Sequence, residues 1–133
     1  MTERDRAMQS LGLLVLRLAV GAMMLTHGWP KLEKLLSAPE KFPDPIGLGP
    51  EISLALAVFA EVPCAVLVAL GLFTRWAAFP LLVTMAVAAF IVHGDDPFNK
   101  QEMALLYGSG TLAIMLTGPG AFSLDAWRSN RRG

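Results

Sequence analysis

Six side chains stand where side chains of their type are rarely placed without a purpose. Arg17 lies inside "LGLLVLRLAVGAMMLTHGW", an otherwise apolar or small stretch from residue 11 to 29. Glu61 holds the same lone position in "AVFAEVPCAVLVALGLF", residues 57–73. His27, Lys31, His93 and Glu102 sit at the ends of apolar runs rather than within them. A permanent cation in an apolar run needs a counter-charge or a set of acceptors. Two histidines beside a carboxylate and a lysine can move protons, hold a polar head group or bind a divalent metal.

The elements that carry these residues follow from composition. The chain has 133 residues, 54% hydrophobic and only 17% charged, with a mean hydropathy of +0.52. Soluble domains run near 25% charged. A chain this short cannot bury so much apolar surface in one core. Its surplus calls for lipid, and an all-α integral membrane four-helix bundle is expected as one unit over residues 1–133. Apolar runs at roughly 10–28, 52–72, 76–93 and 101–117 supply the four helices. About 20 residues at 1.5 Å each cross a ~30 Å hydrocarbon layer. The runs are too long, and too little alternating, for membrane β-strands. The first run lacks a small-x-small cleavage site and exceeds a signal-peptide core, so it reads as a retained helix.

Breakers fix the corners. "PKLEKLLSAPEKFPDPIGLGP" separates the first two helices and carries enough proline to forbid a long helix. Its start, residues 31–36, reads as a short amphipathic turn on the membrane surface. "FTRW" joins helices two and three, "HGDDPFNK" joins three and four, and "TGPG" stops the fourth. Ser123 is then placed to cap a short C-terminal interfacial helix over "SLDAWRSNRR".

An even number of spans puts both termini on one side. That side holds Arg4, Arg6, Arg75, Arg128, Arg131 and Arg132, and the other holds Lys31, Lys34, Lys41 and Lys100. The excess of basic residues predicts cytoplasmic termini. The formal net charge is zero and no basic cluster is interleaved with aromatics, so nucleic acid is not an expected partner. The single cysteine, Cys64, leaves no internal disulfide and no cysteine-rich metal site, and reads as a small buried hydrophobe.

On this layout Arg17 and Glu61 lie ~10 Å and ~16 Å from the arginine side, within one arginine's reach of each other. They are therefore expected to form a buried ion pair. It serves either as structural glue that fixes helix register or as the heart of a polar cavity for proton movement or for binding a polar head group. Small residues on the same faces, among them Gly21 and Gly28, let the helices approach closely. His27, Lys31, His93 and Glu102 gather at the opposite, lysine side. They are loop anchors, a metal site or a pocket for a quinone; their spacing is no local metal motif, and no bound metal is expected. No motif for a resident cofactor is present.

Four stretches together resemble the DoxX family of small bacterial membrane proteins: "LRLAVGAMMLTHGWPKL", "FAEVPCAVLVALGLFTR", "FIVH" and "NKQEMALLYGSGTLAIMLTGPGAFSLD". The likeness covers most of the chain outside the proline-rich loop and the two ends. It carries Arg17, Gly21, His27, Gly28, Lys31, Glu61, Gly71, His93, Glu102, Gly118, Gly120, Ser123 and Asp125 as the matched positions. Because the family takes its name from a subunit of a thiosulfate:quinone oxidoreductase, the resemblance implies an inner-membrane subunit or anchor of a quinone-linked redox assembly. Quinone and an oxidoreductase subunit are then the implied ligand and partner. The alternatives are a small proton-coupled transporter, which four helices would form as a homo-oligomer, and a scaffold without a ligand.

Overall fold

Thr2 starts the first helix. Its hydroxyl accepts from the Asp5 amide at 3.1 Å, and the Asp5 carboxylate accepts in return from the Thr2 amide at 3.0 Å. This reciprocal cap satisfies two donors that a helix start otherwise leaves free. The computed structural model describes residues 1–133 and contains helices and turns but no strand. We label the helices α1 (Glu3–Ser37), α2 (Pro50–Leu70), α3 (Thr74–Val92), α4 (Phe98–Thr117) and α5 (Leu124–Arg132).

α1, α2 and α3 are each long and apolar enough to cross a membrane. Only 24 of the 133 residues are buried within the chain, while large apolar side chains such as Phe59, Phe79, Phe90 and Leu106 stand exposed. A water-facing surface of that kind would be unfavourable; a lipid-facing one is not. The interior is built from small residues. Ala60, Cys64, Ala65, Ala77, Ala78 and Ala89 form its centre, with Met24, Leu81 and Ile114 filling the gaps. Gly21 lies so near α2 that a Cβ on it would meet the Ala65 carbonyl oxygen at 2.7 Å. Close backbones are the usual basis of helix association in lipid.

α1 differs from its expected form. It does not stop near residue 28 but runs through Pro30 to Ser37, so residues 31–36 are its last turns and not a separate surface turn. Proline removes one hydrogen bond and strains a helix in water. In an apolar, packed setting it is tolerated inside membrane helices. The added turns are tied down by Lys31, whose partner is described below. At 35 residues the helix is ~52 Å long, so it extends beyond the hydrocarbon layer.

Two of the helices carry a π-helical turn. In α2 it spans Ala60–Cys64 and contains Glu61 and Pro63; in α3 it spans Ala88–Val92 and ends the helix at His93. Pro63 lacks an N–H, which accounts for the first. α2 ends at Gly71, in the left-handed conformation at φ 70°, with the Leu72 amide donating back to the Leu67 carbonyl. Phe73 follows at φ 48°, the one non-glycine residue with positive φ. That strained corner has a partner in the C-terminal segment.

Candidate functional site

The polar residues fall into two groups at opposite ends of the molecule. The arginine-end group surrounds Arg17, which is 1% exposed. One guanidinium nitrogen donates to the Pro119 carbonyl at 2.5 Å and the other to the Phe122 carbonyl at 2.9 Å. Its Nε is buried without a partner. The expected Arg17–Glu61 pair does not exist. At the level of Glu61, α1 presents Gly28, where a Cβ would meet the Glu61 carbonyl oxygen at 2.5 Å. Arg17 lies ~16 Å further down the same helix, beyond the reach of its side chain. It is held instead by the backbone of the α4–α5 connection.

The rest of that connection is equally fixed. Gly118 and Gly120 each turn the chain at φ 81°. The Ser123 hydroxyl accepts from the Ala126 amide at 3.1 Å and caps α5, as its sequence position predicts. Asp125 reaches the strained corner: Oδ1 accepts from the Phe73 amide at 2.8 Å, and Oδ2 from the Thr74 amide at 2.9 Å and the Thr74 hydroxyl at 2.8 Å. Its own amide donates to the Gly71 carbonyl at 2.8 Å. The carboxylate thus caps α3 from a distant segment, a favourable place for negative charge. Arg128 adds a cation–π contact, 4.7 Å from the Phe73 ring centre.

Burial pushes the Asp125 carboxyl up, but the Thr74 and Phe73 hydrogen bonds and Arg128 outweigh it and hold it below the usual carboxylate range. A carboxyl depressed in the folded state contributes stability that is complete above its unfolded value, near 3.9, and is lost as pH falls through its folded value. Asp125→Asn is expected to cost about 1–2 kcal/mol at pH 7, as removal of a cap does. Melting curves taken from pH 7 to pH 3 should show the two proteins converging only in acid. A gap that stays constant across that range would contradict the assignment.

The lysine-end group lines a cavity of about 350 Å³, within the range of small-molecule sites. His27 and Lys31 enter from α1, Glu61 from the π-turn of α2, and His93 from the end of α3. α4 contributes Asn99, Lys100, Met103, Ala104 and Tyr107. Lys31 Nζ donates to Glu61 Oε2 at 2.6 Å; Glu61 is 1% exposed and Lys31 34%. The continuation of α1 past Pro30 is what keeps Lys31 on the same face as His27 and within reach of Glu61. The His27 ring stands edge-on to Tyr107, with centres 5.6 Å apart. His93 Nδ1 is 2.8 Å from Asp96 Oδ2, and its carbonyl accepts from Gln101. Met24, Met85 and Ala88 supply apolar wall, and Ala88 belongs to the second π-turn. Both π-turns therefore border the same space, a common setting for such irregularities.

His27, Lys31 and His93 thus share one cavity, and Glu61 joins them from a position assigned by sequence to the other cluster. Glu102 does not: it is exposed and absent from the lining. The face of α4 turned inward is the one carrying Lys100, Met103, Ala104 and Tyr107, and Glu102 lies about half a turn around the helix from it. The i, i+3, i+4, i+7 pattern of these four residues is the signal that locates Tyr107. Arg75, whose Nε donates to the Met115 carbonyl at 3.0 Å, is a further anchor that the sequence reading did not single out.

A family model described as DoxX matches residues 12–94, which hold four of the cavity's charged or imidazole residues, His27, Lys31, Glu61 and His93. A protein of Haemophilus influenzae is 38% identical over 83% of this chain and 85% of its own length. The inner membrane protein YphA of Escherichia coli is 30% identical over 85% of this chain and 87% of its own. A membrane protein of Mycobacterium tuberculosis is 30% identical over 87% of this chain and 80% of its own. No solved structure matches the chain.

Proposed function

Because the chain belongs to the DoxX family, we propose that it is a four-span subunit of the bacterial inner membrane that holds a quinone within a redox assembly. In this reading α4 crosses the membrane with the other three, both termini lie in the cytoplasm, and the lysine-end cavity faces the opposite side. The relatives named as inner membrane proteins support the location, and the segregation of arginine from lysine supports the orientation.

The observation that carries the reading is the mixed lining of the cavity. Lys31, His27, His93 and Tyr107 can donate to carbonyl oxygens, while Met24, Met85, Met103 and Ala104 offer apolar, polarisable wall to a ring. A quinone brings two-electron, two-proton carrier chemistry when bound. The chain's own residues then orient it and manage protons. Tyr107 braces the His27 ring edge-on, which limits how the imidazole can turn. Lys31 pairs with the buried Glu61 carboxylate and, being partly exposed, links it to the outside. The nearness of proton-carrying side chains to one apolar wall is the arrangement a membrane carrier's head group needs.

Binding tests this directly. The whole chain in lipid nanodiscs should bind a decyl-tailed benzoquinone saturably. The double variant His27→Phe, Tyr107→Phe should weaken binding at least about tenfold, the loss of roughly one good hydrogen bond. Non-saturable uptake, equal in both proteins, would overturn the reading.

One observation favours a second reading, a small proton-coupled permease. Glu61 is bonded to partly exposed Lys31 and not to fully buried Arg17, so a proton can reach it from the lysine end. Under that reading Glu61→Gln abolishes substrate movement in reconstituted vesicles without lowering the yield of folded protein.

A further inference from the structure

A second cavity adjoins the first. It measures about 160 Å³ and lies between α2 and α3 beneath the proline-rich loop. Its lining is mainly apolar, with Phe42, Pro45 and Ile46 above and Leu56, Val83 and Val87 at the sides. Lys31 and Ala88 line both cavities, so these two side chains are the partition between them. The roof is pinned in place. Asp44 accepts from the Ser53 hydroxyl at 2.7 Å and from the Gly49 amide at 2.9 Å.

We propose that the second cavity houses the apolar tail of the same molecule whose head group occupies the first, so that the ligand is a single-tailed amphiphile bent past Lys31. The inference rests on the quinone reading and adds a tail path to it. Continuity is the first argument: a polar and an apolar chamber meet at one lysine, and a molecule with one polar end and one apolar end fits both. Charge is the second: Lys31 is the only ionic group in the apolar chamber, and its ammonium is drawn to Glu61 on the head-group side. Its methylene stem then faces the tail, as long basic side chains allow. The pinned roof is the third: three loop residues cover the chamber on one side, which distinguishes it from an open helix face. The loop thereby selects for tail shape, and Lys31 joins the two halves of the site.

The test compares two probes, a dimethoxy-methyl-benzoquinone with a decyl tail and the same ring without one, on the whole chain in nanodiscs. Ala57→Phe and Val87→Phe each place a ring in the second cavity. Both should weaken binding of the tailed probe at least about tenfold, the equivalent of two buried methylenes. Both should leave the tailless probe within about twofold of wild type, well inside the effect of one methylene. Equal binding of the tailed probe in all three proteins would overturn the tail path and leave the polar-cavity reading standing. Failure of the tailless probe to bind wild type would overturn both. A measurement on wild type alone guards against misfolded variants. A diazirine at the tail tip should label half-buried Ala57 or Val87; labelling confined to exposed Phe59 and Phe79 would overturn the proposal.

Discussion

Arg17→Met is expected to lower the stability of the fold by about 3–6 kcal/mol, the sum of two hydrogen bonds to a charged donor. Methionine would fill the space of the arginine stem but end two atoms short of the guanidinium nitrogens. Replacing a buried charge by an apolar residue is often neutral or stabilising when its partners are replaced too. Here they cannot be. The acceptors are the Pro119 and Phe122 carbonyls, part of the backbone of the α4–α5 connection. Methionine leaves both without a donor, in a place where Arg17 itself is 1% exposed. The cost of orphaned acceptors therefore outweighs the saving from removing a desolvated cation. Arg17→Lys should fall between the two proteins, because one ammonium on a shorter stem replaces a planar fork. Thermal melts in mild detergent, read by size-exclusion recovery, would check the order. A methionine variant melting with wild type would show that the arginine does not hold this connection.

The second large effect is expected at Gly28. Alanine there should cost about 2–3 kcal/mol and reduce quinone binding more than tenfold. The added Cβ would meet the Glu61 carbonyl oxygen at 2.5 Å and the Glu61 Cβ at 2.8 Å. The first of these is backbone inside a π-turn and cannot swing aside. α1 must separate from α2 at the point where Lys31 and Glu61 meet. Helix propensity works the other way, since alanine in a helix interior is better than glycine by up to about 1 kcal/mol. Gly12 isolates that opposing term: it lies in α1 with nothing within 4 Å of its would-be Cβ. Gly12→Ala should raise the melting temperature while Gly28→Ala lowers it. If both variants rise together, the contact between α1 and the π-turn is looser than the geometry requires.

Much of this architecture is legible in the residues. The apolar runs, the glycine stop after α4 and the serine cap of α5 depend on local rules, and local rules are carried by neighbouring residues. Arg17 is also recognisable as buried, because a cation within an apolar face must turn inward. Its partner is not recognisable. Backbone carbonyls more than a hundred positions away are offered by every residue alike, so a search for a counter-charge settles on Glu61 by elimination. The same search misplaces Glu61 because proline is weighed by its behaviour in water. Once α1 is allowed through Pro30, Lys31 stays on the His27 face and becomes the nearer cation. Glu102 fails for a different reason. It opens α4 at the correct end, but a helix has a circumference, and Lys100, Met103 and Tyr107 take the inward face. The π-turns leave only Pro63 as a trace, and a single proline does not specify which irregularity it produces.

The central claim is that the lysine-end cavity holds a quinone for a redox partner. It is tested most directly by extracting the tagged protein gently from its native membrane and analysing the eluate by mass spectrometry for both lipids and proteins. The account predicts that quinone and an oxidoreductase subunit co-purify with wild type, and that quinone is lost from the His27→Phe, Tyr107→Phe variant while the chain itself is recovered. A chain that elutes alone or only with itself, free of quinone, would contradict the account and leave the permease reading, with Lys31 and Glu61 as the pair to change next.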